Sequence, residues 1–156
     1  MQLRHPLPIF HSWALSDRNR HMSLAPWLDG FDAPFEGAGA SQGDGEELAR
    51  HGIGLWECDL SDNSLTWSAG VFDIFGLPRG ANICRNEAVA LYCDESRAAM
   101  EYLRAYAIRH RRGFTITAQI RPSLTRSAWM ELSCAPICDG KRVVQLEGVK
   151  RLLPNG

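Results

Sequence analysis

Cysteine and histidine are the residue types here whose spacing could do chemistry, and the tightest pair is Cys134-Ala-Pro-Ile-Cys138. On a strand, residues i and i+4 point the same way, so both sulfurs share a face. Along an extended chain they lie roughly 13 Å apart. That is too far for both to ligate one ion, and only a bulge at Pro136 would shorten it. The pair reads as buried thiols. The five histidines are scattered, three of them before residue 37, and His51 and His110 read as solvated helix-end residues rather than as a base. The chain has no Gly-x-Ser-x-Gly, no phosphate-binding glycine-rich loop and no His-Glu-x-x-His. With no nucleophile, base or metal set beside an orienting partner, the expectation is a binding protein rather than an enzyme, without a metal.

Bulk properties narrow the class. A chain of 156 residues suits one domain plus an extension, and its 45% hydrophobic and 22% charged residues are ordinary for a globular protein. A net charge of -1 argues against electrostatically driven binding to nucleic acid or anionic membrane. The local run Arg109-His110-Arg111-Arg112 reads as cations at a helix C-terminus. No segment approaches the ~20 apolar residues of a membrane span. The start, Met1 to Pro6, makes a poor signal peptide. Five cysteines, an odd number without compact disulfide spacing, are expected to stay reduced in the cytoplasm.

The elements that must position any site follow from periodicity. Residues 1–36 carry aromatics punctuated by prolines at 6, 8, 26 and 34, which reads as a docking extension rather than a disordered tail. Residues 37–45 have linker composition, and 46–153 form the domain. Glu46 to His51 reads as a short helix stopped by Gly52, and Ile53 to Leu60 as a central strand with apolar groups on both faces. Asp62-Asn63 suits a two-residue hairpin turn into Ser64 to Trp67. Ser68 is placed to cap a short helix through Val71, Phe72 and Phe75, which Gly76 and Pro78 end. A weak helix around Glu87 to Leu91 leads to a clear one from Asp94 to His110, ended by Gly113, with Ala98, Ala99, Tyr102, Leu103 and Tyr106 on its apolar face. Three strands close the chain: Phe114 to Ile120, Trp129 to Ile137 after a loop at Pro122 to Ser127, and Val143 to Leu152 after an Asp139-Gly140 turn.

The ordered stretches Gly52-Ile-Gly-Leu-Trp-Glu-Cys-Asp-Leu60, Leu65-Thr-Trp-Ser68 and Val71-Phe-Asp-Ile-Phe-Gly-Leu-Pro78, then the long helix and three strands, resemble a PAS domain of the subclass 3 type. The resemblance covers roughly residues 46–153. It implies an α+β fold, a five-stranded antiparallel sheet with helices covering one face, and a role in sensing or protein interaction in bacterial signalling. Two departures stand out. After Gly148-Val149-Lys150, Arg151-Leu152-Leu153 replaces the usual Asp-Ile-Thr, and no output domain follows, which implies a stand-alone module acting through non-covalent contact. Cys93 replaces the proline of His-Pro-Asp-Asp-Arg, with Asp94 keeping the capping role.

PAS domains enclose a cavity between helices and sheet. Its expected lining here is Trp56, Trp67, Phe72, Phe75, Leu91, Tyr102, Tyr106, Ile116, Trp129 and Leu132, a set that reads first as core. Flavin-binding light sensors resemble one another in Asn-Cys-Arg-Phe-Leu-Gln; here Cys84-Arg85 is followed by Asn86-Glu87. Haem sensors use a histidine in the long helix, where this chain has Ala98-Ala99-Met100, leaving Met100 or a cysteine as the alternative ligand. The expectation is therefore no cofactor and an adaptor role with a protein partner, a sensor kinase or its regulator; a small-molecule, haem-type or flavin-type sensor is the alternative. The resemblance also implies a homodimer. Its interface candidates are Ile53, Val144 and Leu146 on the open sheet face, Leu48 on the helix beside it, and Trp13, Trp27, Phe31 and Phe35 in the extension.

Overall fold

The computed structural model describes residues 11–24 and 42–154. Strand β1 (Ser12–Ala14), a 3-10 turn (Leu15–Asp17) and helix α1 (Arg18–Met22) come from the extension. The domain follows as α2 (Gln42–Arg50), β2 (Ile53–Asp59), β3 (Ser64–Trp67), α3 (Ala69–Phe75), α4 (Arg85–Ala90), α5 (Asp94–His110), β4 (Arg112–Ser123), β5 (Arg126–Asp139) and β6 (Arg142–Leu152). All strands pair antiparallel in the order β1-β4-β5-β6-β2-β3. The α+β fold expected from the sequence is present, with one strand more than expected.

The sheet is apolar on both faces, as the pattern of β2 implies. Trp56 and Cys58 join the helix-side core with Phe75, Leu103, Phe114 and Leu132. Ile53 and Leu55 face the other way. Residues directly opposite across a ladder share a face, so the register sorts β6 as well. Leu146 lies opposite Cys58, Gly148 opposite Trp56 and Lys150 opposite Gly54, all toward the helices. Val149, opposite Leu55, points outward. This corrects the expected place of Leu146, which is buried in the helix-side core and not on the open face.

That open face is covered by the chain's own N-terminal extension. Trp13, Met22 and Leu24 pack with Leu48, Ile53, Leu55, Ala135 and Val149 into a second core. Strand β1 pairs with the edge of β4, placing Trp13 opposite Gly113. A Cβ on Gly113 would fall 2.2 Å from the Trp13 ring, so only glycine lets the indole lie there. The Trp13 Nε1 donates to Thr115 Oγ1 at 3.1 Å, and His21 stacks on the ring with centroids 4.5 Å apart. Arg18 pairs with the buried Glu147 on β6. Of the interface candidates, Trp13, Leu48 and Ile53 are thus buried in cis, Val144 is half-buried outside both cores, and Trp27, Phe31 and Phe35 lie outside the described residues.

Several local expectations give way to specific contacts. Helix α2 begins at Gln42, inside the stretch expected as linker, because its buried Leu48 anchors the outer core. The β2–β3 connection has four residues, with Asn63 left-handed at φ 60°, rather than a two-residue turn. The Ser68 hydroxyl accepts the Leu55 N–H at 2.8 Å and makes no cap to α3. Cys93, not Asp94, is the N-cap of α5; Asp94 sits in its first turn and pairs with Arg97. Arg111 ends that helix in a left-handed conformation, which leaves Gly113 already in β4. The β4–β5 loop is only Leu124-Thr125, and the final turn is Gly140-Lys141.

Truncating Trp13 to Ala should lower stability by about 3–5 kcal/mol, as expected for a buried Trp. Gly113→Ala should be destabilising in the same way by displacing the ring. Leu124→Ala, at a side chain 98% exposed, should change stability by no more than ~0.5 kcal/mol. Urea unfolding of the full-length variants measures all three.

Candidate functional site

The register of β6 puts a lysine inside the helix-side core. Lys150 lies between Gly54 on β2 and Leu132 on β5, both directly opposite it. The residue is only 7% exposed. Its Nζ sits 5.0 Å from the centroid of Trp56, 5.2 Å from Phe75, 5.7 Å from Trp67 and 6.0 Å from Tyr92. No hydrogen bond or ion pair joins this nitrogen to another described residue.

Each ring is held by the fold. Trp56 lies flat over β6 because Gly148 has no side chain: a Cβ there would meet the indole at 2.7 Å. Trp67, at the end of β3, stacks on Phe75 at 5.2 Å and meets Phe72 edge-on at 5.2 Å. Tyr92 is fixed by the segment after α4, which lies along β4: Cys93 N–H donates to Gln119 O at 2.9 Å and Arg121 N–H to Leu91 O at 2.7 Å. Rings at these distances offer their negative faces to the ammonium, each worth ~0.5–2 kcal/mol. They do not replace a counter-ion. Burial accordingly pushes the Lys150 pKa down to about 8.

A cavity of about 60 Å³ opens beside the ammonium, enough for on the order of four waters. Trp56, Trp67, Tyr92, Phe114 and Leu132 line it, with the thiols of Cys58 and Cys134. Burial raises the pKa of both thiols, and of the Tyr92 phenol, so all three stay protonated near neutral pH. Arg85 and Arg104 complete the wall from α4 and α5. Arg85 pairs with Glu101, and Arg104 donates to Asn63 Oδ1 at 3.1 Å. Three basic side chains and no acidic one line the space. It is small for a flavin or haem, since drug-sized ligands occupy ~300–1,000 Å³. No histidine lines it, and Cys84 is exposed, its thiol 3.1 Å from Glu87 Oε1. Met100 does reach the wall. The walls as they stand fit neither cofactor.

The expected pocket set divides by strand parity and helix phase. Trp56, Trp67 and Leu132 line the cavity. Phe72 and Phe75 are buried behind Trp67, and Ile116 is buried in the same core away from the cavity. Leu91 is half-buried against that core. Trp129 is 47% exposed, because residues three apart on a strand face opposite ways and Leu132 faces inward. Tyr102 is 40% exposed, because the buried stripe of α5 is Met100, Leu103 and Ala107. Half-buried Tyr106 packs on His110 at 4.3 Å instead. Lys150 was missed; it shares a strand face with Leu146 and Gly148, so its inward place follows only once the register sets Leu146 inward. The Cys134–Cys138 pair is split, with Cys134 buried in the cavity wall and Cys138 half-buried beyond a register shift at Ile137/Cys138. No cluster of three metal-ligating side chains exists among the described residues.

Lys150→Met should stabilise the protein by about 1–3 kcal/mol at pH 7, since an unpaired buried charge gives way to an apolar chain of similar length. The sign of the pH effect follows from the lowered value. Below pH 8 the lysine is charged in both folded and unfolded chains, and its burial cost is felt in full. From pH 8 toward the unfolded value of 10.5 the unfolded chain keeps the proton longer, so the wild type gains stability as pH rises. The advantage of the Met variant should shrink by about 1 kcal/mol between pH 8 and 9; burial holds the cavity thiols protonated in both folded proteins over this range, so their contribution cancels. Denaturant melts of the pair at pH 7, 8 and 9 measure this. In native protein, iodoacetamide should label exposed Cys84 well before Cys58 or Cys134, read by peptide mass spectrometry.

No protein-family model and no curated protein matches this chain. Solved structures do. A domain of a light- and redox-sensing histidine kinase from Haloarcula marismortui aligns with TM-score 0.58 and 15% identity, over 65% of this chain and 90% of that one. The N-terminal domain of a diguanylate cyclase with PAS/PAC sensor from Marinobacter aquaeolei aligns at 0.57 and 10%, over 63% and 92%. An RNA-binding light-oxygen-voltage receptor aligns at 0.58 and 13%, over 65% of this chain but 29% of its own length. At these identities the likeness is one of fold: the chain has a six-stranded version of the PAS fold.

Proposed function

We propose that this chain is a cytoplasmic sensory and interaction module of a signalling pathway that includes a sensor histidine kinase or its regulator, acting through contact with a protein partner and not as an enzyme. The fold shared with sensor-kinase and cyclase domains supports the signalling part. No helix among the described residues is long and apolar enough to cross a membrane. In the cavity the thiols are held protonated and the amine has no acid–base partner, an arrangement suited to binding rather than turnover.

One observation carries the reading. Strand β6 serves the cavity with one face and the extension with the other. Leu146 and Lys150 border the cavity, while Glu147 and Val149, alternating between them, hold Arg18 and the outer core. A change at Lys150 is therefore one residue from the contact that seats the extension. The outer face, through which two copies or a partner would pair, becomes available when the extension lifts. Homodimerisation under this reading needs that release.

Cross-linking in native cells followed by mass spectrometry should return a sensor kinase or a regulator of one. A reproducible partner set without any signalling protein would overturn the reading. Light scattering of the full chain at high micromolar concentration should show a monomer, and the Trp13→Ala, Arg18→Glu variant should self-associate. A dimer already formed by the wild type with the extension seated would place pairing on another surface.

A further inference from the structure

We propose that the cavity beside Lys150 is a binding site for a short-chain monocarboxylate of about two to four carbons, held by the ammonium and the surrounding rings. The inference rests on the sensory reading above and names the ligand class of that same site.

Four observations converge. Lys150 as a residue is only 7% exposed, borders the cavity, and its ammonium has no acceptor among the described residues. A lysine head carries three donors and no acceptor of its own, so the group it lacks is an anion or a carbonyl oxygen. The wall adds Arg85 and Arg104 and no carboxylate, which makes the space net positive even after Arg85 is matched by Glu101. The Trp56 Nε1–H, in the same wall, is also buried without an acceptor. The remaining lining is aromatic, aliphatic or thiol, which suits an apolar tail.

Size selects among anions. A cavity of about 60 Å³ holds on the order of four waters, matching a carboxylate with a few methylenes and excluding nucleotides and aromatic acids. A phosphate or sulfate would fill the space but leave the rings without an apolar contact. A carboxylate against the ammonium forms a charge-assisted pair in a low-dielectric site, where such bonds are strongest. The tail would displace water from aromatic surface.

Binding also has a proton signature. The titratable and charged groups facing Lys150 are Cys58 on β2, Cys134 on β5, Tyr92 after α4, Arg85 on α4, and Arg104 on α5. Burial keeps the thiols and the phenol protonated. At pH 8.5 the lysine is the group free to take up a proton when a carboxylate arrives.

The test is titration calorimetry and thermal melting of the full-length protein with sodium propionate and sodium butyrate. Propan-1-ol and sodium chloride at matched concentrations are the controls. The expected result is one carboxylate per chain and a melting temperature that rises with carboxylate but with neither control. At pH 8.5 the heat should depend on the buffer's ionisation enthalpy, reporting proton uptake. Lys150→Met, which should fold, should bind at least tenfold more weakly. Equal response to propan-1-ol, equal response to chloride, binding unchanged in Lys150→Met, or no response to either acid would each overturn the proposal. Recovery of a signalling partner by cross-linking does not depend on the acid, so loss of this ligand class leaves the sensory reading standing, and the reverse holds as well.

Discussion

Strict alternation along β6 is the constraint on which the rest depends. Once its ladders to β2 and β5 are set, Leu146, Gly148 and Lys150 must face the helices, and Glu147 and Val149 must face away. A one-residue slip would exchange the two sets, bringing Glu147 into the aromatic core and Lys150 to the outer face. The observed register is the one in which an aliphatic stem and an aromatic ring of cage residues can shelter the amine. The same register lets Arg18 reach the carboxylate on the far side.

A sheet apolar on both faces must be covered twice. Helices α3, α4 and α5 cover one face, and the extension covers the other with Trp13, Met22 and Leu24. The extension is part of the hydrophobic core by burial, and it is further fastened by a short edge strand, the Trp13–Thr115 hydrogen bond and the Arg18–Glu147 pair. Short edge pairings sit at the low end of local stability. Lifting the extension would expose Trp13, Met22 and Leu24 together with the apolar face they cover, so the covered surface opens only at the cost of that buried area.

Much of the fold was legible in the sequence. The alternation Phe114, Ile116, Ala118, Ile120 set the inward face of β4, and the two-sided pattern of Ile53 to Cys58 marked β2 as internal. The site was only partly legible. Aromatic residues were found by type, but type does not give phase: Trp129 and Tyr102 point outward because neighbours on the same element claim the inward positions. Lys150 went unseen because a lysine is read as solvated unless its strand's register is known. The cis docking of Trp13 was beyond reach for a different reason. Its partner is the glycine at position 113, a hundred residues away, and no local pattern signals that a missing Cβ there is the seat of an indole.

The claim at the centre is a buried, unpaired amine on the helix-facing side of β6. Nitrogen-15 NMR of the Lys150 Nζ across a pH titration of the full-length protein tests it most directly. The account predicts a midpoint near pH 8, set by burial among Trp56, Trp67, Phe75 and Tyr92. A midpoint near the ordinary lysine value of 10.5 would show a solvated or ion-paired amine and contradict it.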